Sequence, residues 1–467
     1  MTSTRRNFLA TTAAATASFI IVPRHVLGGP GYVAPSDRVN VALIGAGGQG
    51  RTNCRELFKL PDVRVVAVAD PIREHDLSKY YYGGKGGREI VAKEIETHYR
   101  KTESDYQCKR YEDFRKLFDE EKNVDAVLCA TPDHLHALVS IAAMRRKKHV
   151  YCEKPLTHNI TEARKVAEVA KATQVVTQMG NQGHSTEGMR LTVEWIRGGL
   201  IGTVKEVHAW SGTSRWNPEL LGYPADTMTV PDGVLWDHWI GPREPRPYHT
   251  ALCPVSWRDF WDFGTGALGD IGCHDMDAAV WALNLHHPAI IEGRAGGKFN
   301  EQIVPHSELV YYHFEPRGSL PAITMTWYDG GLKPATPSVL PSDYKLAGRG
   351  VMFVGEKGVV ICGGAGGMPK AYPESLESDA KAIPQSIPRV PGHHRDWIDA
   401  IKGSGKAPSS NFEYGARLTE IVLLGVAAVR FNGRLHWNAK ELKFAEEPAN
   451  RFLQEGYRKG WELDSVG

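Results

Sequence analysis

No hydrophobic run in this 467-residue chain is long enough to span a membrane comfortably; even the apolar stretch that ends at Val22 falls short of the roughly 20 residues required. Charge of one sign is also lacking. Lys and Arg number 56 and Asp and Glu 54, a net +2, and setting aside Arg5, Arg6 and Arg24 takes the balance to −1. That excludes a polybasic nucleic-acid or membrane-surface binder. The seven cysteines are odd in number and form no C-x-x-C pair, which excludes a complete disulfide framework and a zinc ribbon. Cys54, Cys129 and Cys152 fall in apolar segments and read as core packing. The pairs His134/His136, His286/His287 and His393/His394 have no third ligand at metal-binding spacing, so no metal is expected. No serine or cysteine sits on a nucleophile elbow, and there is no internal repeat.

What is present begins at Val39. An apolar strand, Val39 to Ile44, runs into Gly45-Ala46-Gly47-Gly48-Gln49-Gly50, which matches G-x-G-x-x-G. A helical stretch carrying Cys54, Leu57 and Phe58 follows, and a second apolar strand, Val63 to Ala69, ends in Asp70. In this context Gly45 permits a tight turn, Gly47 lets the backbone approach a pyrophosphate, and Gly50 lets the helix pack on the strand. The helix N-terminus offers free N–H groups to phosphates. Asp70 suits the ribose hydroxyls and favours NAD over NADP, with Arg73 close enough to soften that preference.

Strand and helix signals alternate to about Thr177: a buried strand over 124–130, a helix over 134–145, a strand over 149–152, a helix over 162–173 capped by Asn159, and a strand over 174–179. The stretch between Asp70 and Val124, with Tyr80-Tyr81-Tyr82-Gly83-Gly84, reads as a decorated, partly helical crossover. After about Leu200 strands at 204–210, 309–314, 322–327 and a hairpin over 351–362 come without intervening helices, as in a largely antiparallel sheet. Helical signals return at 396–401 and 417–429. The fold class is therefore α/β: a doubly wound parallel Rossmann sheet over 37–157 and a C-terminal α/β domain with an open, largely antiparallel sheet over 158–467.

Three clusters carry chemistry. Glu153-Lys154-Pro155 follows a parallel strand, where ligands of doubly wound sheets bind. Glu153 joins the cofactor-binding set. Lys154, desolvated beside a cationic nicotinamide, would have a lowered pKa and exchange a proton with a hydroxyl. Asp270 and His274, four residues apart, share a helix face, and the imidazole suits proton abstraction near neutrality. Between them in the chain, Trp236, Tyr248, Trp257, Arg258 and Trp261 interleave aromatic and charged groups without helix or strand periodicity, as a sugar-binding surface would.

Taken together these motifs resemble the glucose–fructose oxidoreductase / inositol dehydrogenase (Gfo/Idh/MocA) family. The matching pieces are the Gly45–Gly50 turn, Ala69-Asp70, Thr131-Pro132-Asp133-His134-Leu135-His136, Glu153-Lys154-Pro155, and Gly266-Ala267-Leu268-Gly269-Asp270 through His274. The resemblance implies tightly held NAD(P), a small-molecule carbohydrate or polyol substrate, and a homo-oligomer formed through the open sheet. It implies that Lys154 is the catalytic lysine, Asp270 the substrate-binding acid and His274 the proton acceptor, with Thr131, Pro132 and His136 bordering the cofactor. Gln178 to His184 departs from the family pattern on the substrate side.

Thr4-Arg5-Arg6-Asn7-Phe8-Leu9 before an alanine-rich run resembles a twin-arginine export signal over 1–30, so a periplasmic or otherwise exported location is expected, without stable membrane insertion. The expected activity is oxidation of a sugar, polyol or glycoside hydroxyl. The alternatives are a redox-neutral glycosidase, epimerase or hydro-lyase acting through a keto-sugar, and a non-catalytic nucleotide or sugar sensor.

Overall fold

Strand β1 (Val39–Ile44) is nearly continuous in apolar residues because both its faces are covered, as in parallel sheets flanked by helices. In the computed structural model, which describes residues 33–318 and 320–466, it lies at the centre of a six-stranded parallel sheet. The other strands are β2 (Val63–Ala69), β3 (Lys109–Tyr111), β4 (Ala126–Cys129), β5 (His149–Glu153) and β6 (Thr177–Gly180). Their order, β3-β2-β1-β4-β5-β6, reverses at β1/β4. That topological switch point opens a crevice at the carboxyl ends of the strands. The expected signal segment lies outside the described residues.

Helices α1 (Gly48–Leu57), α2 (Arg88–Tyr99), α3 (Phe114–Glu120), α4 (Asp133–Arg145) and α5 (Ile160–Thr173) connect the strands. Asn159 caps α5 through a reciprocal box: its side chain accepts the Glu162 N–H, and Glu162 reaches back to the Asn159 N–H.

The parallel sheet does not stop at residue 157. Beyond α5, β6 pairs with β5 in register Val150↔Thr177 to Glu153↔Gly180. Nor is the layer built only from the first half of the chain. Helix α11 (His393–Ile401) returns to it: Trp397 meets the Tyr151 ring edge-on at 5.6 Å and His394 stacks on the same ring at 5.0 Å. Arg395 and Lys402 then pair with Asp62 at 2.6 and 2.7 Å. The sheet layer thus takes in α5 and β6 beyond residue 157, and the C-terminal part contributes a helix to the same layer.

The second sheet has nine strands: β7 (Val204–Ser211), β8 (Ile290–Gly296), β9 (Ser307–Phe314), β10 (Ile323–Tyr328), β11 (Arg349–Gly355), β12 (Val359–Gly363), β13 (Pro369–Tyr372), β14 (Arg434–Asn438) and β15 (Lys443–Phe444). Their order is β13-β12-β11-β7-β10-β9-β8-β14-β15. Only the β7/β10 pairing is parallel. Strict alternation of burial along β9 shows one face packed on the core. Against that face lies α12 (Phe412–Phe431), apolar on nearly every side because α5 covers its other flank. Helix α6 (Glu187–Arg197), the short α7 (Trp236–Ile240), α8 (Gly266–Asp275), α9 (Asp277–Ala282) and α10 (Leu376–Ala382) complete the domain. Helix α8 packs on α12 and turns its other side to the crevice.

Candidate active site

The crevice holds a cavity of about 580 Å³. Its floor is the glycine turn. Gly45 has φ +91°, and a Cβ there would lie 2.5 Å from the Ala130 backbone, so only glycine fits between β1 and the end of β4. A Cβ on Gly50 would lie 2.0 Å from the Gly45 carbonyl oxygen; Gly50 is the packing glycine behind the cavity, not part of its lining. Above Gly47 no atom stands within 4 Å of a would-be Cβ. That leaves open space for a phosphate over the start of α1.

Asp70 is buried at the end of β2. One carboxylate oxygen accepts the Ala46 N–H at 2.7 Å and the other the Ile72 N–H at 2.8 Å. It thus braces the glycine turn while each oxygen keeps a further lone pair toward the cavity. Burial raises its pKa, against the opposing pull of His75 and these N–H groups. Arg73 turns away and pairs with Asp232 at 2.9 Å.

Thr131 and Pro132 form the lip after β4, and His136 lies one turn into α4. The His136 ring nitrogens sit 2.7 Å from the Pro155 carbonyl oxygen and 2.9 Å from that of Thr131, so the imidazole ties the loop after β4 to the loop after β5. Cys129 and Cys152, paired in register on β4 and β5, bring their sulfurs within 4.8 Å of a His136 nitrogen. Sequence spacing does not reveal this grouping of three donors. The carbonyls that engage both ring nitrogens make the loop tie its better-supported role. Glu153 accepts from Asn53 at 2.7 Å and Gln182 at 2.9 Å, and burial raises its pKa.

At the far end of the cavity Lys154 Nζ donates to the Asp270 carboxylate at 2.6 Å and to the Asp270 carbonyl at 2.6 Å. Burial disfavours the ammonium, but Asp270 outweighs it and holds Lys154 above its ordinary pKa. The expected depression is reversed because the nearest charge is a carboxylate. Burial would raise Asp270 in turn, yet Lys154 and Arg258 hold it well below the usual range. His274, one turn along α8, lines the same cavity. Burial, with Lys154 and Arg349 beside it, pushes its pKa well below 6.5, and its Nδ1 is buried without a hydrogen-bond partner. A cation and a neutral imidazole base therefore face one space.

Trp257 and Arg258 line that space, the guanidinium 4.2 Å from the Trp257 ring centroid. Trp236, Tyr248 and Trp261 do not. Trp236 stacks on Trp239 at 4.7 Å, meets Tyr248 edge-on at 5.1 Å and donates to the Arg246 carbonyl. Trp261 donates to the Asn300 carbonyl and packs in the main core. Both indole N–H groups are satisfied internally and Tyr248 packs in the same buried cluster as Trp236, so these three rings are packing residues.

Sequence reasoning did not single out several wall residues: Gln182, Trp216, Trp239 and Arg349. Arg349, from β11, is held by Asp275 through bonds of 2.9 and 2.8 Å. Asn181 and His184, from the departing 178–184 segment, instead bind Asp277 in the core at 2.9 Å each. The tyrosines Tyr81 and Tyr82 also line the cavity, although the sequence shows only an aromatic-rich crossover there.

Comparison with known proteins agrees with this architecture. Residues 39–181 match the model of the GFO_IDH_MocA oxidoreductase family, NAD-binding Rossmann fold, and residues 197–313 match that family's C-terminal alpha/beta domain. Levoglucosan dehydrogenase of Pseudarthrobacter phenanthrenivorans is 26% identical over 247 residues, 52% of this chain and 51% of the relative. Myo-inositol 2-dehydrogenase of Thermotoga maritima is 27% identical over 202 residues, 43% of this chain and 52% of the relative. The chain thus spans about half the length of these curated relatives. Among solved structures, the WlbA dehydrogenase from Bordetella pertussis, in complex with NADH and UDP-GlcNAcA, shares the fold. Its TM-score is 0.58 at 14% identity, covering 86% of this chain and 98% of that one. With both family models matched in order along more than half of its length, the chain belongs to the GFO_IDH_MocA oxidoreductase family.

Proposed function

We propose that the protein is an NAD-dependent oxidoreductase acting on a hydroxyl of a sugar, polyol or glycoside. One observation carries the reading: the Lys154–Asp270 pair and the neutral His274 share a single cavity with an open glycine turn and a strand-end carboxylate. The turn fits a dinucleotide because nothing projects above Gly47 and the Asp70 carboxylate faces the position of the adenosine ribose. A 2′-phosphate would meet that carboxylate and be repelled, so NAD is favoured over NADP. The dinucleotide would be held by Gly45, Gly47, Asp70, Thr131, Pro132 and Glu153, and would supply the hydride acceptor.

The remaining work falls to side chains. His274 takes the hydroxyl proton of the substrate. The Lys154 ammonium donates a hydrogen bond to the same oxygen and stabilises the negative charge that develops there. Asp270 fixes Lys154 and accepts from a neighbouring hydroxyl. Trp257 offers a face for the sugar ring and Arg258 a donor to its hydroxyls.

A redox-neutral cycle through a keto-sugar is the second reading, favoured by Tyr82, whose ring covers Gly48 of the glycine turn and would help keep a nucleotide in place between half-reactions. Both predict that Lys154→Ala leaves nucleotide binding intact and abolishes change at 340 nm when sugars are added to loaded protein. Retained reduction in that variant would refute the assignment. Product without net reduction in the unaltered protein would select the second reading. Assembly as a homo-oligomer and export through residues 1–30 belong to the same proposal. Retention in the cytoplasm of the full chain, equal to that of an Arg5→Lys/Arg6→Lys variant, would remove export from it.

A further inference from the structure

The crossover between β2 and α2 contains a compact strap that the proposed chemistry does not use. Its ends close as a two-residue antiparallel ladder, His75–Asp76 against Lys85–Gly86. Inside it the Leu77 N–H donates to the Gly84 carbonyl at 2.7 Å and the Gly83 N–H to the Tyr80 carbonyl at 3.0 Å. Gly83 and Gly84 both adopt left-handed backbone, φ +62° and +64°, and turn the chain back on itself. The turn delivers the Tyr82 ring onto the start of α1. A Cβ on Gly48 would lie 2.1 Å from Tyr82 Cγ, so the ring rests on bare backbone beside the phosphate position.

Both sides of the crevice hold the strap. From α1, Arg51 donates to the Gly83 and Lys85 carbonyls at 3.1 and 3.2 Å, and Glu94 of α2 fixes the same guanidinium at 3.0 Å. From the loop after β7, Trp216 stacks on Tyr81 at 6.1 Å and meets Tyr80 at 6.3 Å. Tyr81 and Tyr82 line the cavity in company with Gly47, Gly48, Trp216 and Asp270. The rings leave the space above Gly47 clear.

We propose that this strap, Leu77–Gly86, roofs the dinucleotide and that Tyr82 is a cofactor-retaining residue, keeping the nucleotide bound from one turnover to the next. The proposal rests on the oxidoreductase reading above. Contacts that cover a bound ligand act chiefly on its rate of departure. Arg51 serves as a positioning residue: it does not line the cavity, and it holds the strap through the Gly83 and Lys85 carbonyls.

The test uses the full-length protein loaded with NADH, chased with excess NAD and followed by loss of bound-NADH fluorescence. Thermal unfolding without nucleotide monitors the fold. Tyr82→Phe, which keeps the ring, should release NADH at the unaltered rate. Tyr82→Ala and Arg51→Gln should release it at least about tenfold faster, a change of about 1.4 kcal/mol in the dissociation barrier. Unchanged release in Tyr82→Ala, with or without a lower melting temperature, would assign the ring a packing role and overturn the proposal. Should Tyr82→Ala fail to fold, Arg51→Gln decides by the same criterion. Release within milliseconds by the unaltered protein would also overturn it. Failure of that protein to bind NADH at all would overturn the oxidoreductase reading instead.

Discussion

The Lys154–Asp270 pair permits a quantitative test that needs no knowledge of the substrate. Its charged atoms are 2.6 Å apart and each side chain is 14% exposed. At an effective dielectric of about 20, Coulomb's law gives an attraction of about 6 kcal/mol at that distance. Desolvation of both groups offsets much of it, and removing one member of such a pair costs about 3–5 kcal/mol because the other charge is left buried. Asp270→Asn keeps the shape and removes the charge, leaving both Lys154 and Arg258 facing a neutral amide. With an unfolding entropy of about 2.1 cal/mol/K per residue, a loss of about 4 kcal/mol in a chain of this size lowers the melting temperature by about 4 °C. Lys154→Met alone should cost a similar amount. The double variant should lose less than the sum of the two single variants, since removing both members leaves neither charge of the pair buried without the other. Melting curves of the four proteins close the cycle. Strictly additive losses in the double variant would show that the two groups do not interact as described.

Other expected outcomes concern function and pH. Because burial and neighbouring cations push His274 well below 6.5, activity should stay level from pH 8 to pH 6 and fall only below that; a pH-rate limb centred at 6.5 would contradict the neutral-base role. Asp62 is raised by burial, but Arg395 and Lys402 lower it further, to about 2 from 3.8. Its contribution to stability is present above about pH 4 and lost as pH falls through about 2, so Asp62→Asn should flatten acid unfolding in that window. Asp70→Ser should bring NADP affinity up toward that of NAD in calorimetric titrations, and an unchanged ratio would refute the ribose role. Trp257 and Trp261 are both buried, so each Trp→Ala change should cost about 3–5 kcal/mol of stability, as core truncations do, but only Trp257→Ala, at the cavity wall, should also raise KM for sugar.

Legibility in the sequence tracked how local the physics was. The glycine turn, Asp70 and the Asn159 cap depend on neighbours a few residues away, and each stands where the pattern put it. Lys154, Asp270 and His274 lie more than a hundred residues apart in part, and only the family resemblance brought them together in advance. Arg349 and Trp216 reach the cavity from strands and loops of the second sheet, so no spacing marks them. Trp236, Tyr248 and Trp261 show the converse failure. An indole or phenol that finds its partners inside the core looks the same in sequence as one that waits for a sugar.

The return of α11 to the first sheet bears on how the polypeptide is made. Residues 39–181 alone would leave Tyr151 without the Trp397 and His394 rings that cover it. A ribosome must therefore extend the chain past residue 401 before the nucleotide module can close its own interior. Splitting the gene after residue 181 would yield a fragment that matures only when the other half is supplied.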